Sequence, residues 1–197
     1  MRLALFALLI ASPAAAQSFD CAKAESSAEQ LVCSNARLGA LDERIAATYA
    51  SALDAARGLD AGAAEAETTL KATQRGWISG RDECWKTENV EACVEQSYLR
   101  REAEMVATWM LAEPTDTVFW ACDGNSSNEV VTTFFDTELP SLRFERGDSI
   151  DVGTLTPAAS GSRYMGSFGR EIWIKGDEAM YREPDPDGTE LSCVKAQ

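Results

Sequence analysis

The chain has 197 residues with 18 basic and 32 acidic side chains, a formal net charge of −14, six cysteines and no histidine. So acidic a chain is a poor partner for nucleic acid or an anionic membrane, because both would repel it. The lack of histidine excludes Ser-His and Cys-His nucleophiles and His-ligated metal sites. A basic protein would be attracted by long-range steering, and plain solubility is the alternative role of this charge.

The first 16 residues have the three parts of a secretory signal peptide. Arg2 supplies a positive charge, residues 3–10 form a short apolar segment, and residues 14–16 offer an Ala-x-Ala cleavage site before Gln17. The apolar segment is too short to span a membrane. The first cysteine is Cys21 and does not follow the cleavage site directly, so we expect no membrane anchor. We therefore expect a periplasmic or secreted protein.

Six cysteines in an exported chain predict disulfide bonds. Four precede Pro114 and two follow it, so each side holds an even number. We therefore expect the bonds to stay within each side, with Cys122 joined to Cys193. Among the first four we prefer the local pairs, Cys21 with Cys33 and Cys84 with Cys93. Crossed pairs between helices remain the alternative.

From residue 20 to about 111 the apolar residues recur with the period of a helix. Residues 58–64, rich in Gly and Ala, indicate a turn, and Pro114 ends the helical pattern. We expect a small all-α domain stapled by disulfides over residues 17–113. Its three helices are marked by Leu38, Leu41, Ile45, Tyr49 and Leu53, then by Leu70, Trp77, Ile78 and Arg81, then by Val94, Tyr98, Met105 and Trp109.

After Pro114 the period changes to two. About eight short strands, rich in Val, Ile, Thr and Phe, alternate with turn residues. An antiparallel β-barrel closes its edges and buries a core at this size, so we expect an all-β barrel domain over residues 114–197. The strands are expected at about residues 118–122, 129–135, 142–145, 149–155, 163–165, 170–174, 179–182 and 190–194.

The helical half resembles the N-terminal domain of LprI-type proteins. The matching elements are Asp20-Cys21, Glu29 with Cys33, Leu41-Asp42, Tyr49, Gln74-x-x-Trp77, Arg81-Asp82 and Cys84. LprI is described as a lysozyme inhibitor, yet the domain occurs in many exported proteins of unknown role. The resemblance therefore bears more on the fold than on the function. We expect Trp77 to be a core aromatic under the stem of Arg81, whose charge pairs with a nearby carboxylate.

The barrel half resembles the MliC family of inhibitors of c-type (chicken-type) lysozyme. The match includes the start Phe119-Trp120-Ala121-Cys122-Asp123-Gly124, the motif Ser160-Gly161-x-x-Tyr164, the segment Trp173-x-Lys175-Gly176-Asp177-Glu178-Ala179 and the closing Cys193. It departs at the N-terminus, where many members carry a lipidated cysteine and none of the helical region. Membrane attachment is therefore not carried over.

In that family a Ser and a Lys enter the lysozyme cleft and meet its two catalytic carboxylates. By position these are Ser160 and Lys175, and the resemblance extends the expected lysozyme-binding set to Gly161, Tyr164 and Gly176. A retaining glycosidase such as lysozyme has one protonated and one ionised carboxyl group. An ammonium and a hydroxyl would satisfy both. The glycines would avoid a Cβ clash in a narrow cleft.

Other interpretations of these segments compete. Lys-Gly-Asp alone is an ordinary hairpin turn, and we expect Tyr164 and Trp173 to serve the core rather than the contact. Residues 183–188 resemble the start of a calcium loop but lack its closing Glu, so we expect a turn, with no metal and no cofactor.

We therefore interpret the chain as a non-enzymatic inhibitor of c-type lysozyme. The alternative is a cell-envelope binding or scaffolding module that recognises another protein or a glycan. We find no constellation of paired carboxylates that would favour an enzyme.

Overall fold

The computed structural model describes residues 18–196, apart from the side chains of Ser126 and Ser127. The predicted signal peptide, residues 1–16, lies outside this range. Within it, four α-helices precede a closed, eight-stranded antiparallel barrel, so the expected fold classes and their order are confirmed. No helix among the described residues has the length and apolar character needed to cross a bilayer.

The helices are α1 (Ser27–Ser34), α2 (Ala36–Arg57), α3 (Ala63–Asp82) and α4 (Val90–Trp109). Helix α1 was not among the predicted helices. It begins at a capping box, in which Ser26 Oγ accepts the N–H of Glu29 and the Glu29 carboxylate accepts the N–H of Ser26. Eight residues are too few to establish a helical period, so this cap was the only local signal.

The helical core forms where α1, α2 and α4 meet. The predicted face of α2 is buried there, with Leu38, Leu41 and Ile45 packed in one cluster with Val94 and Tyr98 of α4. Two disulfides staple this region, and both are the local pairs expected from the sequence; they join Cys21 to Cys33 and Cys84 to Cys93.

A buried arginine ties three helices together. Arg81 lies over the rings of Trp77 and Tyr98, with 5.5 and 5.7 Å from its guanidinium carbon to the ring centroids. It donates 2.8 Å hydrogen bonds to Asp82 Oδ1 and to the Tyr98 hydroxyl, which in turn donates to Asp42 Oδ1 at 3.0 Å. Burial is the main cause that raises the pKa of Tyr98. The expected pairing of the Arg81 charge is confirmed.

The barrel is a simple meander in which each strand pairs with the next and the last returns to the first. The observed strands agree with the predicted ones, except that the second begins at Asn125 rather than near Glu129, since the preceding turn is tight. The strands are β1 (Asp116–Cys122), β2 (Asn125–Phe135), β3 (Ser141–Arg146), β4 (Ser149–Thr156), β5 (Ser162–Met165), β6 (Glu171–Lys175), β7 (Glu178–Arg182) and β8 (Glu190–Lys195).

Alternate side chains of these strands fill the barrel. Trp120, Phe144 and Tyr181 are the largest of them, and the indole N–H of Trp120 donates to Thr132 Oγ1 at 2.9 Å. The predicted Cys122–Cys193 disulfide joins β1 to β8, where the two cysteines are directly paired across the strands. The closure of the barrel is therefore both hydrogen-bonded and covalent.

The last helix lies against the barrel. Val106 and Ala107 of α4 are buried with Phe135 of β2, and α4 also contacts β3 and β4. Arg143 of β3 donates to the carbonyl oxygen of Thr108 at 2.8 Å. The contact is thus part apolar and part polar.

A carboxylate on the loop between β2 and β3 reaches back to the helices. Glu138 accepts hydrogen bonds from Arg37 and Arg44 of α2, the latter at 2.9 Å. The hydrogen bond from Arg37 is the main cause that lowers the pKa of Glu138. These ion pairs join the barrel to α2, and the same two arginines also pair with Glu95 and Glu102 of α4.

Candidate functional site

Ser160 lies on the loop that joins β4 to β5, residues 157–161, which we call the Ser160 loop. Its side chain is exposed, and its hydroxyl has no hydrogen-bond partner within the described residues. Gly161 follows with a φ of +69°, and a Cβ added there would lie 2.2 Å from the carbonyl oxygen of Ile174 and 3.0 Å from Lys175 Cγ. Only glycine therefore lets this loop pass so close to the end of β6.

Lys175 ends β6 and opens the two-residue turn to β7, which we call the Lys175 hairpin, residues 175–178. Gly176 takes the first turn position with a φ of +65°, the geometry for which a tight hairpin needs glycine. A Cβ at Gly176 would meet nothing within 4 Å, unlike one at Gly161. The hairpin tip is therefore open to solvent.

The two loops are neighbours because β5 and β6 pair. Ser162 lies opposite Ile174, which brings the start of β5 against the end of β6. The structure thus brings Ser160, Gly161, Lys175 and Gly176 to one end of the barrel.

Tyr164 occupies a different place from the other four. It points into the barrel with 8% of its surface exposed and meets Phe134 edge to face, at 5.6 Å between ring centroids. Burial raises the pKa of the Tyr164 phenol. Its expected core position is confirmed, so Tyr164 supports β5 from inside.

Trp173 was expected in the core and that expectation was wrong. It lies half-buried on the outer face of β6, while its neighbour Ile172 points inward and is fully buried. Its indole N–H donates to the carbonyl oxygen of Ser160 at 2.7 Å, and Lys175 Nζ lies 3.7 Å from its ring centroid. The alternation of β6 contained the signal, because an inward Ile172 places Trp173 and Lys175 on the same outer face.

A groove of about 670 Å³ continues from Lys175 across the outer face of strands β5 to β8. Its apolar part includes Trp173, Met180 and Val194, the last two 42% and 52% exposed. Glu178 and Glu190 line it as well, and neither has an ion-pair partner within the described residues. Sequence reasoning did not identify this groove, because it depends on side chains from four strands.

The cations of the barrel differ in their partners. Each of its five arginines lies within 4.0 Å of a carboxylate, whereas Lys175 and Lys195 have no ion pair among the described residues; the arginines are Arg143, Arg146, Arg163, Arg170 and Arg182. The ammonium of Lys175 can therefore bind a carboxylate of another molecule without first breaking an ion pair within this one.

The acidic loop that resembles the start of a calcium site is held by protein contacts. The Asp185 carboxylate accepts a 2.7 Å hydrogen bond from Arg182, and Asp187 accepts one from Thr189. In the part of the chain that the structure describes, no three His, Cys, Asp or Glu residues are grouped closely enough to hold a metal ion.

Known families cover both halves of the chain. Residues 120–190 match the family model described as membrane-bound lysozyme-inhibitor of c-type lysozyme, and residues 21–117 match the model described as lysozyme inhibitor LprI. The chain is also similar to proteins named Lipoprotein LprI from Mycobacterium tuberculosis H37Rv and Mycobacterium bovis. Each is 29% identical over 165 residues, which are 82% of this chain and 77% of the relative.

Both families are inhibitors of lysozyme by their descriptions, and neither description names a catalytic activity. Three disulfides together with lipoprotein relatives indicate a location outside the cytoplasm. The chain therefore combines a helical region that matches the LprI model with a barrel that matches the model of the c-type lysozyme inhibitors.

Proposed function

We propose that this protein inhibits c-type lysozyme by inserting the Ser160 loop and the Lys175 hairpin into the active-site cleft. The observation that carries the proposal concerns two exposed groups at one end of the barrel. Among the residues that the structure describes, the Lys175 ammonium has no ion pair and the Ser160 hydroxyl no hydrogen-bond partner, whereas the arginines of the barrel are all paired. The family matches supply the partner, since both descriptions name lysozyme.

The chemistry of the target explains why these two groups suffice. A retaining glycosidase holds two carboxyl groups about 5 Å apart, one ionised and one protonated. The Lys175 ammonium would neutralise the ionised one, and the Ser160 hydroxyl would accept a hydrogen bond from the protonated one or donate a hydrogen bond to it. Hydrogen bonds to a charged group contribute about 1.5–3 kcal/mol, so these contacts give specificity.

Most of the affinity would come from surface fit. The groove beside Lys175 offers exposed apolar area from Trp173, Met180 and Val194, directly continuous with the loops. Aromatic and apolar side chains at the centre of an interface carry much of its binding energy. The acidic surface attracts a basic enzyme from a distance, as net −14 implies.

Two further points belong to the same proposal. We propose that residues 17–113 and 114–197 are separate domains, and that insertion requires only the second, since both loops lie within it. We also propose that the mature protein acts in the periplasm or after secretion, where it would meet a lysozyme that attacks the cell wall.

The test is lysis of bacterial cell walls by a purified c-type lysozyme, followed by turbidity, with the full-length protein added. We expect inhibition by the wild type and little by the Ser160→Ala, Lys175→Ala double variant. Lys86→Ala is the matched control, because Lys86 also stacks on a tryptophan, Trp85, with 5.4 Å from Nζ to the ring centroid, but lies in the helical region. It should inhibit like the wild type.

Full inhibition by the double variant would exclude insertion by these loops. No inhibition by the wild type would favour the alternative, a cell-envelope binding or scaffolding module for another protein or a glycan.

A further inference from the structure

We propose that Trp173 is a positioning residue for lysozyme binding, an inference that depends on the function proposed above. Its ring holds the Lys175 ammonium and its N–H holds the Ser160 loop, so that the two binding groups are arranged before they meet the enzyme. Trp173 contacts both, through a 2.7 Å hydrogen bond from its indole N–H to the Ser160 carbonyl oxygen and a distance of 3.7 Å from Lys175 Nζ to its ring centroid.

Lys175 contacts the indole of Trp173 rather than the carboxylate opposite it in the β6–β7 pairing. Its direct cross-strand partner is Glu178, the carboxylate nearest to it along the β6–β7 pairing. No ion pair joins these two side chains, and the ammonium lies over the indole of Trp173 instead. An ion pair with Glu178 would have to break when Lys175 met a carboxylate of the enzyme. Contact with the ring leaves N–H groups of the ammonium available, since it has three donors.

The Ser160 loop is held by the same indole, through its N–H. A loop of five residues without internal secondary structure has few constraints of its own, and the indole N–H supplies one by binding the Ser160 carbonyl oxygen. Because the bond is to the main chain, it fixes where the residue lies while leaving the hydroxyl free. Gly161 supplies the other constraint, through its close approach to Ile174.

Ordering of these two groups in the free protein should lower the entropic cost of binding. A lysine side chain and a mobile loop lose conformational freedom when they enter an interface, and a group that is already ordered loses less. If Trp173 removes part of this cost, its loss should weaken binding without removing any atom that touches a catalytic carboxylate. We expect Trp173→Leu to raise the Kd about tenfold, which corresponds to about 1.4 kcal/mol.

The experiment compares three full-length variants with the wild type by calorimetric titration against purified c-type lysozyme. Trp173→Leu removes the ring and the N–H. Trp173→Phe keeps an aromatic face but removes the N–H, so it should raise the Kd only about threefold, since part of the arrangement survives. Trp85→Leu is the matched control, because Trp85 also stacks with a lysine but lies in the helical region, and its Kd should not change.

A second readout examines the free protein. The ε-methylene protons of Lys175 lie close to the indole, so their NMR signals should be shifted upfield by the ring current. The shift should persist in Trp173→Phe, vanish in Trp173→Leu and remain unchanged in Trp85→Leu. If Trp173→Leu fails to fold by circular dichroism, Trp173→Phe carries the test.

A double-mutant cycle then separates positioning from stability. In the Lys175→Ala background there is no ammonium to position, so Trp173→Leu should cost about threefold instead of tenfold, through the Ser160 loop and the apolar area that the ring gives to the groove. An equal loss in both backgrounds would show that Trp173 does not act through Lys175 and would overturn the inference. Tighter binding of Trp173→Leu would also overturn it, because the ring would then be holding the lysine back.

The failure of this inference differs from that of the proposed function. If Lys175→Ala and Ser160→Ala weaken binding while Trp173→Leu does not, the loops insert but Trp173 has no positioning role. If none of the four substitutions at these three positions changes the Kd, the proposed function itself is wrong.

Discussion

Two glycines at the proposed site provide a matched test, because both have positive φ and only one is crowded. Gly161 has a φ of +69° and Gly176 a φ of +65°, so alanine at either position should be strained by about 1–2 kcal/mol. At Gly176 the new methyl group would meet nothing within 4 Å. At Gly161 it would lie 2.2 Å from the carbonyl oxygen of Ile174, a backbone atom within β6 that cannot rotate away.

Relieving that overlap should cost about 1–3 kcal/mol more, the usual range for overpacking. We therefore expect Gly161→Ala to lower the free energy of unfolding by about 2–5 kcal/mol in total, and Gly176→Ala by about 1–2 kcal/mol. The measurement is urea unfolding of both full-length variants with the disulfides intact, followed by tryptophan fluorescence. Unchanged slopes against urea would show that stability alone has changed.

Binding should rank differently from stability. Gly161→Ala forces the Ser160 loop away from β6 and displaces Ser160, so inhibition should weaken with the fold. Gly176→Ala leaves the fold nearly intact but adds a methyl group at the tip that is proposed to enter the cleft. Inhibition should therefore weaken although the free energy of unfolding changes little. Equal unfolding free energies for the two variants would refute the steric argument. Undiminished inhibition by Gly176→Ala would refute the narrow fit.

Three further predictions concern charge and cross-linking. The association rate with lysozyme should fall as the salt concentration rises from about 0.05 M to about 0.5 M, because exposed charges are screened beyond about 8 Å at physiological salt. A constant rate in stopped-flow measurements would show that the acidic surface serves solubility only. The lowered pKa of the Glu138 carboxyl group means that its ion pairs stabilise the fold fully above about pH 4.5, and that this stabilisation is lost as the pH falls below that value. The free energy of unfolding of Glu138→Gln should therefore depend less on pH at the acid end than that of the wild type. An unchanged pH profile would contradict this. Replacing both Cys122 and Cys193 by Ser should lower the free energy of unfolding by about 4 kcal/mol, because the disulfide closes a loop of 71 residues. Urea unfolding measures this loss. A loss below about 1 kcal/mol would show that the β1–β8 hydrogen bonds are enough to close the barrel.

Much of the fold was predictable because each half has its own period. The apolar face of α2 and the alternation of the strands both reflect burial on one side, which a sequence records directly. The Cys122–Cys193 disulfide followed from counting, since an even number of cysteines lies on each side of Pro114. Counting left crossed pairs open in the helical half, where the two local pairs were preferred and are confirmed. Helix α1 escaped because a short helix shows too few apolar positions, although the capping box of Ser26 and Glu29 marked its start.

The contacts between the halves could not be predicted in the same way. Glu138 pairs with arginines 101 and 94 positions earlier in the chain, and nothing local to any of the three residues selects that partner. Exposed ion pairs of this kind are weak, so they follow from the docking of α4 on the barrel more than they determine it. Their identity is therefore information about packing that a periodic pattern does not contain.

At the candidate site the residue types were predictable and their arrangement was not. Family resemblance pointed to Ser160 and Lys175, but the sequence did not show that Trp173 lies between them. An aromatic residue in a strand is expected inside a small barrel, because burial of its ring is favourable. On β6 the inward positions are already filled, so Trp173 covers the outer face and takes a polar partner with its N–H.

The charge distribution reconciles an acidic protein with a cationic binding group. Attraction over long distances depends on net charge, and 32 acidic against 18 basic side chains draw the molecule toward a basic enzyme. Neutralisation of a catalytic carboxylate depends instead on one ammonium at contact distance, where the cleft excludes water and screening is weak. The arginines of the barrel are occupied by their own carboxylates and Lys175 lies over an indole, so under the proposed function the protein would meet both requirements at once. A second exposed cation beside Lys175 would reduce the net negative charge and so weaken the long-range attraction to a basic enzyme. It would find no second ionised carboxylate in the cleft, since the other carboxyl group of a retaining glycosidase is protonated.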